Sequence, residues 1–310
     1  MTTHDIRTPL NQGDKLVLKD HVYKIHDIVG FGGSCLAYRA ECEPNENERE
    51  IGMPTIPAII KEFYTLELSD GIIRKLDGKL TVQAVARETF DLLKERFESG
   101  AAKQTAFCVS DSNHSLPLPL LDMQNGTVYT TVVLTNGQTL SDCAADLSML
   151  EKADVITSLC NAVRKLHDSG KLYLDLKPPN IFVFEKEQSE SRRVALFDFD
   201  TVISVSDTDA STFPYSEGWS PYEQRNPYKE GISYTADVYA IGAVYYWMLS
   251  GKAVSEAILH EIVRKRFGFL DEISDICRNK WLKETIGQIL SATLKRPPEN
   301  RVQRVEDIPL

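Results

Sequence analysis

The segment Tyr173-Leu174-Asp175-Leu176-Lys177-Pro178-Pro179-Asn180-Ile181-Phe182 holds an Asp, a Lys two residues on and an Asn five residues on. They sit in a proline-broken loop flanked by apolar residues. Those types at that spacing can supply a base for a hydroxyl proton, a cation beside a transferred phosphoryl group, and a metal ligand. A second apolar run, Leu196-Phe197, releases the carboxylate of Asp198 eighteen residues after Asn180, followed by Phe199 and Asp200. Either loop alone reads as a polar turn after a strand. The two together point to phosphoryl transfer.

Three further features lie outside those loops. Gly30-Phe31-Gly32-Gly33-Ser34-Cys35 falls between two predicted strands. Its glycines let backbone N–H groups approach phosphate oxygens, although a plain hairpin turn has the same composition. Ala58-Ile59-Ile60-Lys61 ends an apolar strand on a lysine. Such a lysine either meets an anion or a carboxylate or snorkels to water. Its expected partner is Glu88, three residues after Val85 and four before Leu92 on a predicted helix, with Glu95 as the rival. The last feature combines Ser220-Pro221-Tyr222-Glu223-Gln224, Asp237 opening an apolar helix, and Arg301 near the end. Asp237 is expected either to be buried against hydrogen-bond donors or to favour the helix N-terminus through the dipole.

The elements that must position these residues follow from periodicity. Strands are predicted over 23–30, 35–42, Ile56–Phe63 and Gly126–Leu134, with a loop across the polar stretch EPNENEREIGMP. Residues 81–98 read as a helix with Val85, Leu92 and Leu93 on one side. After about residue 138 the pattern is helical: Val155, Leu159, Val163 and Leu166 share a face, and 235–250 and 278–295 are two more helices. The expected organisation is an extension over 1–21, a strand-rich lobe over 22–134 and a helical lobe over 135–310, with a cleft available between the lobes.

Composition bounds the partners. The chain has 310 residues, with 35 Lys+Arg against 45 Asp+Glu and a formal charge of −10. That disfavours a nucleic-acid binder relying on a broad basic surface, while leaving room for a phosphorylated ligand held by a few local cations. Six dispersed cysteines show no C-x-x-C and no zinc-ligand spacing, which fits a reducing cytoplasm. The N-terminus lacks the apolar core of a signal peptide. The longest apolar run, Ala240 to Leu249, is ten residues, about half a membrane span.

In this order, over about residues 22–305, the motifs resemble the eukaryotic-type (Hanks-type) Ser/Thr protein kinase family. The Glu223-Gln224 pair is reminiscent of its bacterial members. The resemblance implies an α+β, bilobal protein-kinase-like fold: a small β-rich N-lobe with one main helix and a larger helical C-lobe, forming one catalytic domain. It implies Mg²⁺- and ATP-dependent transfer of the γ-phosphate to a Ser/Thr hydroxyl of a protein substrate. Carried over by position, Gly30 and Gly32, with Gly33 beside them, match the loop that covers the phosphates. Lys61 matches the lysine on the α and β phosphates, and Glu88 its helix partner. Asp175 matches the catalytic base, Lys177 the lysine near the γ-phosphate, and Asn180 and Asp198 the Mg²⁺ ligands. Val132 falls near the gatekeeper position, with Val133 to Thr135 toward adenine. Glu223 is expected to pair with Arg301, and Asp237 to hold the catalytic-loop backbone.

Several positions depart from the family pattern. Cys35 replaces the third glycine, Tyr173 the usual His, Leu174 the usual Arg, Asp200 the D-F-G glycine and Tyr222 the A-P-E proline. Without an Arg at 174, switching by an Arg–phosphate pair there is unavailable. Two alternatives stand beside the active kinase: a pseudokinase binding or scaffold module, and a small-molecule phosphotransferase on the same fold. Thr201, Ser204, Ser206, Thr208, Ser211, Thr212 and Ser216 are candidate autophosphorylation sites. Regulation is expected from a protein partner, from the acidic loop near 43–50, or from this segment.

Overall fold

The structure is a computed structural model that describes residues 5–114, 116–134, 136–186, 191–207, 213–226, 231–273 and 279–310. Two compact units emerge: Met1–Ser110 with Leu116–Thr135, and Asp111–Ser115 with Asn136–Leu310.

The first unit is built on a six-stranded antiparallel sheet. Its strands are β1 (Lys15–Leu18), β2 (His21–Phe31), β3 (Cys35–Glu43), β4 (Ile56–Phe63), β7 (Leu120–Gln124) and β8 (Thr127–Val133), in the order β1-β2-β3-β4-β8-β7. A separate hairpin pairs β5 (Ile72–Arg74) with β6 (Leu80–Val82). Strand β1 lies within the stretch expected to be an extension and pairs with β2 through Leu16↔Tyr23. The acidic loop contains a short helix, α1 (Glu46–Glu50). Asn45 and Glu48 close a capping box there, satisfying each other's backbone N–H groups.

The main helix of this unit, α2, runs Arg87–Ser110, later and longer than the 81–98 predicted. Residues Leu80–Val82 are instead drawn into the hairpin, and Ala84–Ala86 form a 3₁₀ turn. Its buried face also differs from expectation. Phe90 and Phe97 stack on Phe63 of β4 at 5.1 and 5.5 Å between ring centroids. Of the expected residues, Leu93 packs partly buried against the core, whereas Val85 and Leu92 are 89% and 52% exposed. The aromatic payload outweighs the aliphatic stripe read from the sequence.

Alternation along β4 sets Ile59, Lys61 and Phe63 on the α2 side and Ala58, Ile60 and Glu62 on the other. That second face is also buried. Glu62 accepts from Tyr38 Oη and Tyr129 Oη, both at 2.8 Å, and pairs with Arg74 of β5. Arg74 in turn donates to the carbonyls of Thr8 (2.7 Å) and Gly78 (2.8 Å), so the N-terminal segment and the hairpin close over the sheet. Burial and the nearby carboxylate push both tyrosine hydroxyls far above their ordinary range, which keeps them as neutral donors.

In the second unit, α3 (Leu140–Cys143) precedes α4 (Met149–Asp168). Ser148 and Glu151 form a capping box at the start of α4, whose buried face includes Val155, Leu159, Val163 and Leu166 as the spacing predicts. After α5 (Tyr222–Arg225) comes α6 (Thr235–Ser250), buried along almost its whole length. Helices α7 (Glu256–Val263) and α8 (Lys280–Thr293) follow. Gly242 allows α6 and α8 to meet closely, since a Cβ there would fall 2.2 Å from Thr293 Oγ1.

Two small sheets complete this unit. Strand β9 (Gly137–Thr139) pairs with β11 (Ile181–Phe184), which pairs with β12 (Val194–Leu196). Strand β10 (Lys171–Leu172) pairs with β13 (Ile203–Ser204). The register Ile181↔Leu196 matters most for chemistry. It sets Asn180, just before β11, beside the exit of β12 that leads to Asp198. Phe197 N–H donating to Asn180 O at 3.3 Å closes this end.

Candidate active site

The loop between β10 and β11 is held from below by α6. Asp237, wholly buried, accepts the N–H groups of Tyr173 and Leu174, each at 2.9 Å, while His167 Nε2 lies 2.9 Å from its Oδ2. This decides between the two readings of Asp237 in favour of the buried acceptor. Leu174 takes φ of 66°, a left-handed conformation that costs a branched residue of order 1 kcal/mol and persists only when clamped. Its N–H is fixed by Asp237, and its carbonyl accepts from Gln224 Nε2 at 2.8 Å.

The clamp presents Asp175. Its Oδ2 lies 2.8 Å from Lys177 Nζ and accepts from Asn180 Nδ2 at 3.2 Å, while its Oδ1 accepts from Ser216 Oγ at 2.7 Å. Lys177 Nζ also donates to Ser216 Oγ at 3.3 Å. A carboxylate, an ammonium and a hydroxyl thus meet within hydrogen-bond reach, with the hydroxyl donating to the carboxylate. Ser216, one of the candidate autophosphorylation sites named from sequence, is bound to Asp175. Among the other candidates, Thr208, Ser211 and Thr212 lie outside the described residues. Thr201 Oγ1 donates to Tyr173 O at 2.9 Å.

Asn180 Nδ2 also donates to Asp175 O at 2.9 Å. Its amide nitrogen is thus committed to Asp175, which leaves its amide oxygen as the side-chain acceptor. Asp198 has φ of 71°, so the left-handed residue of the Asp198-Phe199-Asp200 turn is its first. Asp200 is not among the positive-φ residues, and its replacement of a glycine imposes no left-handed strain. Asn180 and Asp198 stand on adjoining strand ends and carry oxygen donors, the hard type that could hold Mg²⁺.

Tyr173 ties the two loops together. Its hydroxyl donates to the carbonyl of Phe197, and its ring packs edge-on against Phe199 at 5.6 Å. Burial, reinforced by Asp198, Asp175 and Asp237, raises its pKa well above the ordinary value, so the phenol stays protonated as a donor. An aromatic here does more than fill the space of the expected His. Below the loop, Arg301 and Glu223 form the expected pair, both buried.

The first unit carries the remaining candidates. Gly30 pairs with Ala37 at a register shift of the β2–β3 ladder, and Gly32 N–H donates to Cys35 O at 2.9 Å. Neither these two nor Gly33 has a positive φ. A Cβ at Gly32 would nevertheless crowd Cys35 O at 3.3 Å, so the tight turn accounts for that glycine. Cys35 itself is buried in the core.

Lys61 is half-buried on the α2 side of β4, and Val132, paired with Ile59, shares that side. Val133, paired with Ala58, lies on the opposite side, and Thr135 falls outside the described residues. The Glu88 expectation is corrected. Glu88 is exposed and, two residues before Phe90, lies about 200° around α2 from the face that packs on the sheet. Glu95 is exposed too. The glutamate that flanks the packed face is Glu98, next to Phe97. It is partly buried, with Oε1 3.5 Å from Lys94 Nζ. No apolar spacing in the sequence singled it out, because the helix face is set by aromatics.

Comparison with known proteins follows the same lines. The family model described as "Protein kinase domain" matches residues 119–307, from β7 to the C-terminal end. Serine/threonine-protein kinase PknB of Mycobacterium tuberculosis is 25% identical over 302 residues, covering 92% of this chain and 41% of the relative. The chain therefore spans about two fifths of that relative's length. Among solved structures, "PpkA-294 apo form" gives a TM-score of 0.64 at 21% identity, covering 97% of this chain and 98% of that one. The Mycobacterium tuberculosis PknI kinase domain gives 0.57 at 14%, covering 97% of each. Among the described residues, no helix is long and apolar enough to cross a membrane.

Proposed function

The chain belongs to the protein kinase family, and on that premise we propose that it transfers the γ-phosphate of ATP to a Ser or Thr hydroxyl of a protein, with Asp175 as the base. What carries the reading is the hydroxyl of Ser216 held 2.7 Å from Asp175 Oδ1, with Lys177 Nζ 2.8 Å from the other carboxylate oxygen. A serine hydroxyl there is in the position from which a carboxylate accepts a proton as the oxygen attacks.

Asn180 and Asp198 would hold Mg²⁺, which would supply positive charge against the negative charge of the phosphates. Lys177 is the cation beside that group, and the backbone of Gly30, Gly32 and Gly33 receives phosphate oxygens. Lys61 holds the α and β phosphates. We assign its support to Glu98, the partly buried glutamate that flanks the α2 face packed on β4 and that in this structure lies 3.5 Å from Lys94. Val132 and Val133 contribute on the adenine side. A catalytic domain with these parts acts in the cytoplasm on protein substrates and answers to regulatory partners.

The test is incubation with Mg²⁺ and labelled ATP against a protein extract, with Asp175→Ala and Asp198→Ala as controls. Transfer is expected in the wild type and a loss of about 10²–10⁴-fold in Asp175→Ala. Transfer that survives both substitutions would overturn the assignment. Nucleotide-dependent thermal stabilisation without turnover would make the chain a pseudokinase. Phosphorylation of aminoglycosides or choline with none of protein would make it a small-molecule phosphotransferase.

A further inference from the structure

Gln224 is buried, and its Nε2 donates to two carbonyls, Leu174 O at 2.8 Å and Pro214 O at 2.7 Å. One side chain thereby fastens α5 to the loop that presents Asp175 and to the stretch leading into Ser216. The next residue on each strand of this clamp comes into register as a result. Arg225 lies over the ring of Tyr215, its guanidinium carbon 5.5 Å from the centroid.

Four arginines of the second unit stack on tyrosines in this way: Arg225, Arg296, Arg301 and Arg304. Arg301 is neutralised by Glu223, and Arg296 reaches Glu256 at 3.6 Å. Among the described residues, no carboxylate forms an ion pair with Arg225 or with Arg304. Arg225 is linked to Asp175 through the ring it stacks on, because Tyr215 precedes Ser216, whose hydroxyl donates to Asp175 Oδ1. Both Arg225 and Tyr215 are exposed. Stacking covers one face of the guanidinium and pre-orders it, while its in-plane N–H groups remain available as a fork for a carboxylate.

We propose that Arg225 sets substrate specificity by pairing with a carboxylate of the protein substrate, so that the preferred substrate is an acidic segment around the phosphoacceptor. The proposal rests on the kinase reading above and names its substrate class. Bond geometry from Asp175 through Ser216 and Tyr215 keeps the guanidinium within about 18 Å of the base. That is about five residues of extended peptide at ~3.3 Å each, so the Asp or Glu lies within five positions of the acceptor. A net charge of −10 would by itself favour basic substrates, and Glu217 presents a negative charge on the far side of Ser216. For a carboxylate within a Debye length of ~8–10 Å of the guanidinium, this local cation outweighs the global sign.

The experiment uses the full 310-residue chain after phosphatase treatment. Fluorescent peptide pairs carry a central Ser and differ only as Asp against Asn, or Glu against Gln, at each position from −5 to +5. Binding is followed by anisotropy, and phosphorylation is measured separately with Mg-ATP. At one position the carboxylate peptide should bind about 5–10-fold tighter, the size of one charge-assisted pair, with the advantage shrinking in 0.5 M salt. Arg225→Ala and Arg225→Gln should erase that advantage and leave binding and phosphorylation of the amide peptides unchanged. Glu217→Gln should preserve or enlarge it. Equal binding of every pair, or an advantage that persists in Arg225→Ala, would overturn the proposal. A carboxylate preference with no phosphorylation of any peptide would support Arg225 while sinking the kinase reading, and phosphorylation without preference would do the reverse.

Discussion

Replacing Arg301 by Met tests the physical account of the second unit most severely. Arg301 is 3% exposed and Glu223 0%. Every N–H of the guanidinium is used: Nε donates to Lys295 O at 2.5 Å, Nη1 to Thr235 O at 3.1 Å and to Glu223, and Nη2 to Arg296 O at 2.8 Å and to Glu223 at 3.0 Å. Its face lies 5.0 Å from the Tyr239 ring centroid. Methionine keeps much of the apolar stem but strands a buried carboxylate and three carbonyls. Breaking a buried pair from one side costs about 3–5 kcal/mol, and lost carbonyl bonds add roughly 1 kcal/mol each before water offsets some of it. A net loss of about 4 kcal/mol at ~2–4 °C per kcal/mol lowers Tm by roughly 10 °C. Scanning calorimetry reads this directly. The double variant Glu223→Met/Arg301→Met leaves no uncompensated charge and should recover part of the loss. A loss below about 1 kcal/mol for Arg301→Met, or double-variant losses that simply add, would refute the reasoning.

Asp237→Asn turns an amide NH₂ toward one of the two backbone N–H groups it now serves, and should cost about 2–3 kcal/mol. It should also lower kcat more than it raises the KM for ATP, as steady-state kinetics would show. In the first unit, Arg74→Met leaves Glu62 buried without its cation. It should destabilise by about 3–5 kcal/mol, seen as faster amide exchange in β3 and β4. Glu98→Ala should weaken ATP binding by about tenfold or more in titration calorimetry, while Glu88→Ala, on the exposed side of α2, changes it less than twofold. The Arg192 guanidinium, donating to Glu151 at 2.8 and 3.0 Å, and the Ser148 cap hold the Glu151 carboxyl down at about 2 from an ordinary 4.5. A depressed carboxyl stabilises the fold above its unfolded pKa and loses that contribution as pH falls from 4.5 toward 2. The Tm difference between wild type and Arg192→Ala should therefore be constant from pH 6 to 8 and shrink below pH 4.

The sequence marked Asp175, Lys177, Asn180 and Asp198 because each needs a fixed local setting: a proline-broken loop or a strand end. Asp237 was legible as a charge on a helix that otherwise had to be buried, whereas the pairing of Arg301 with Glu223 was expected only from the family resemblance. Strand β4 and helix α6 were read to the residue, since continuous apolar runs with clear stops have one solution. The failures came where a choice between faces depends on what packs there. Helix α2 offers an aliphatic stripe and an aromatic one, and the rings of Phe63, Phe90 and Phe97 select the second. That selection turns Glu88 to solvent.

Local patterning therefore determined the groups on hand: an Asp with a neighbouring Lys, and an Asn and an Asp with oxygen donors, on a strand-rich part followed by a helical one. Tertiary structure decided which side chains reach them. Ser216 meets Asp175, Tyr173 bridges to Phe197, Gln224 clamps Leu174, and Arg225 stacks on Tyr215. The physical reason is distance along the chain. Ser216 and Asp175 stand 41 residues apart and Gln224 and Leu174 50 apart. No spacing rule of a helix or a strand relates such pairs. Only the closure of one core, which must satisfy every buried donor and charge at once, brings them together.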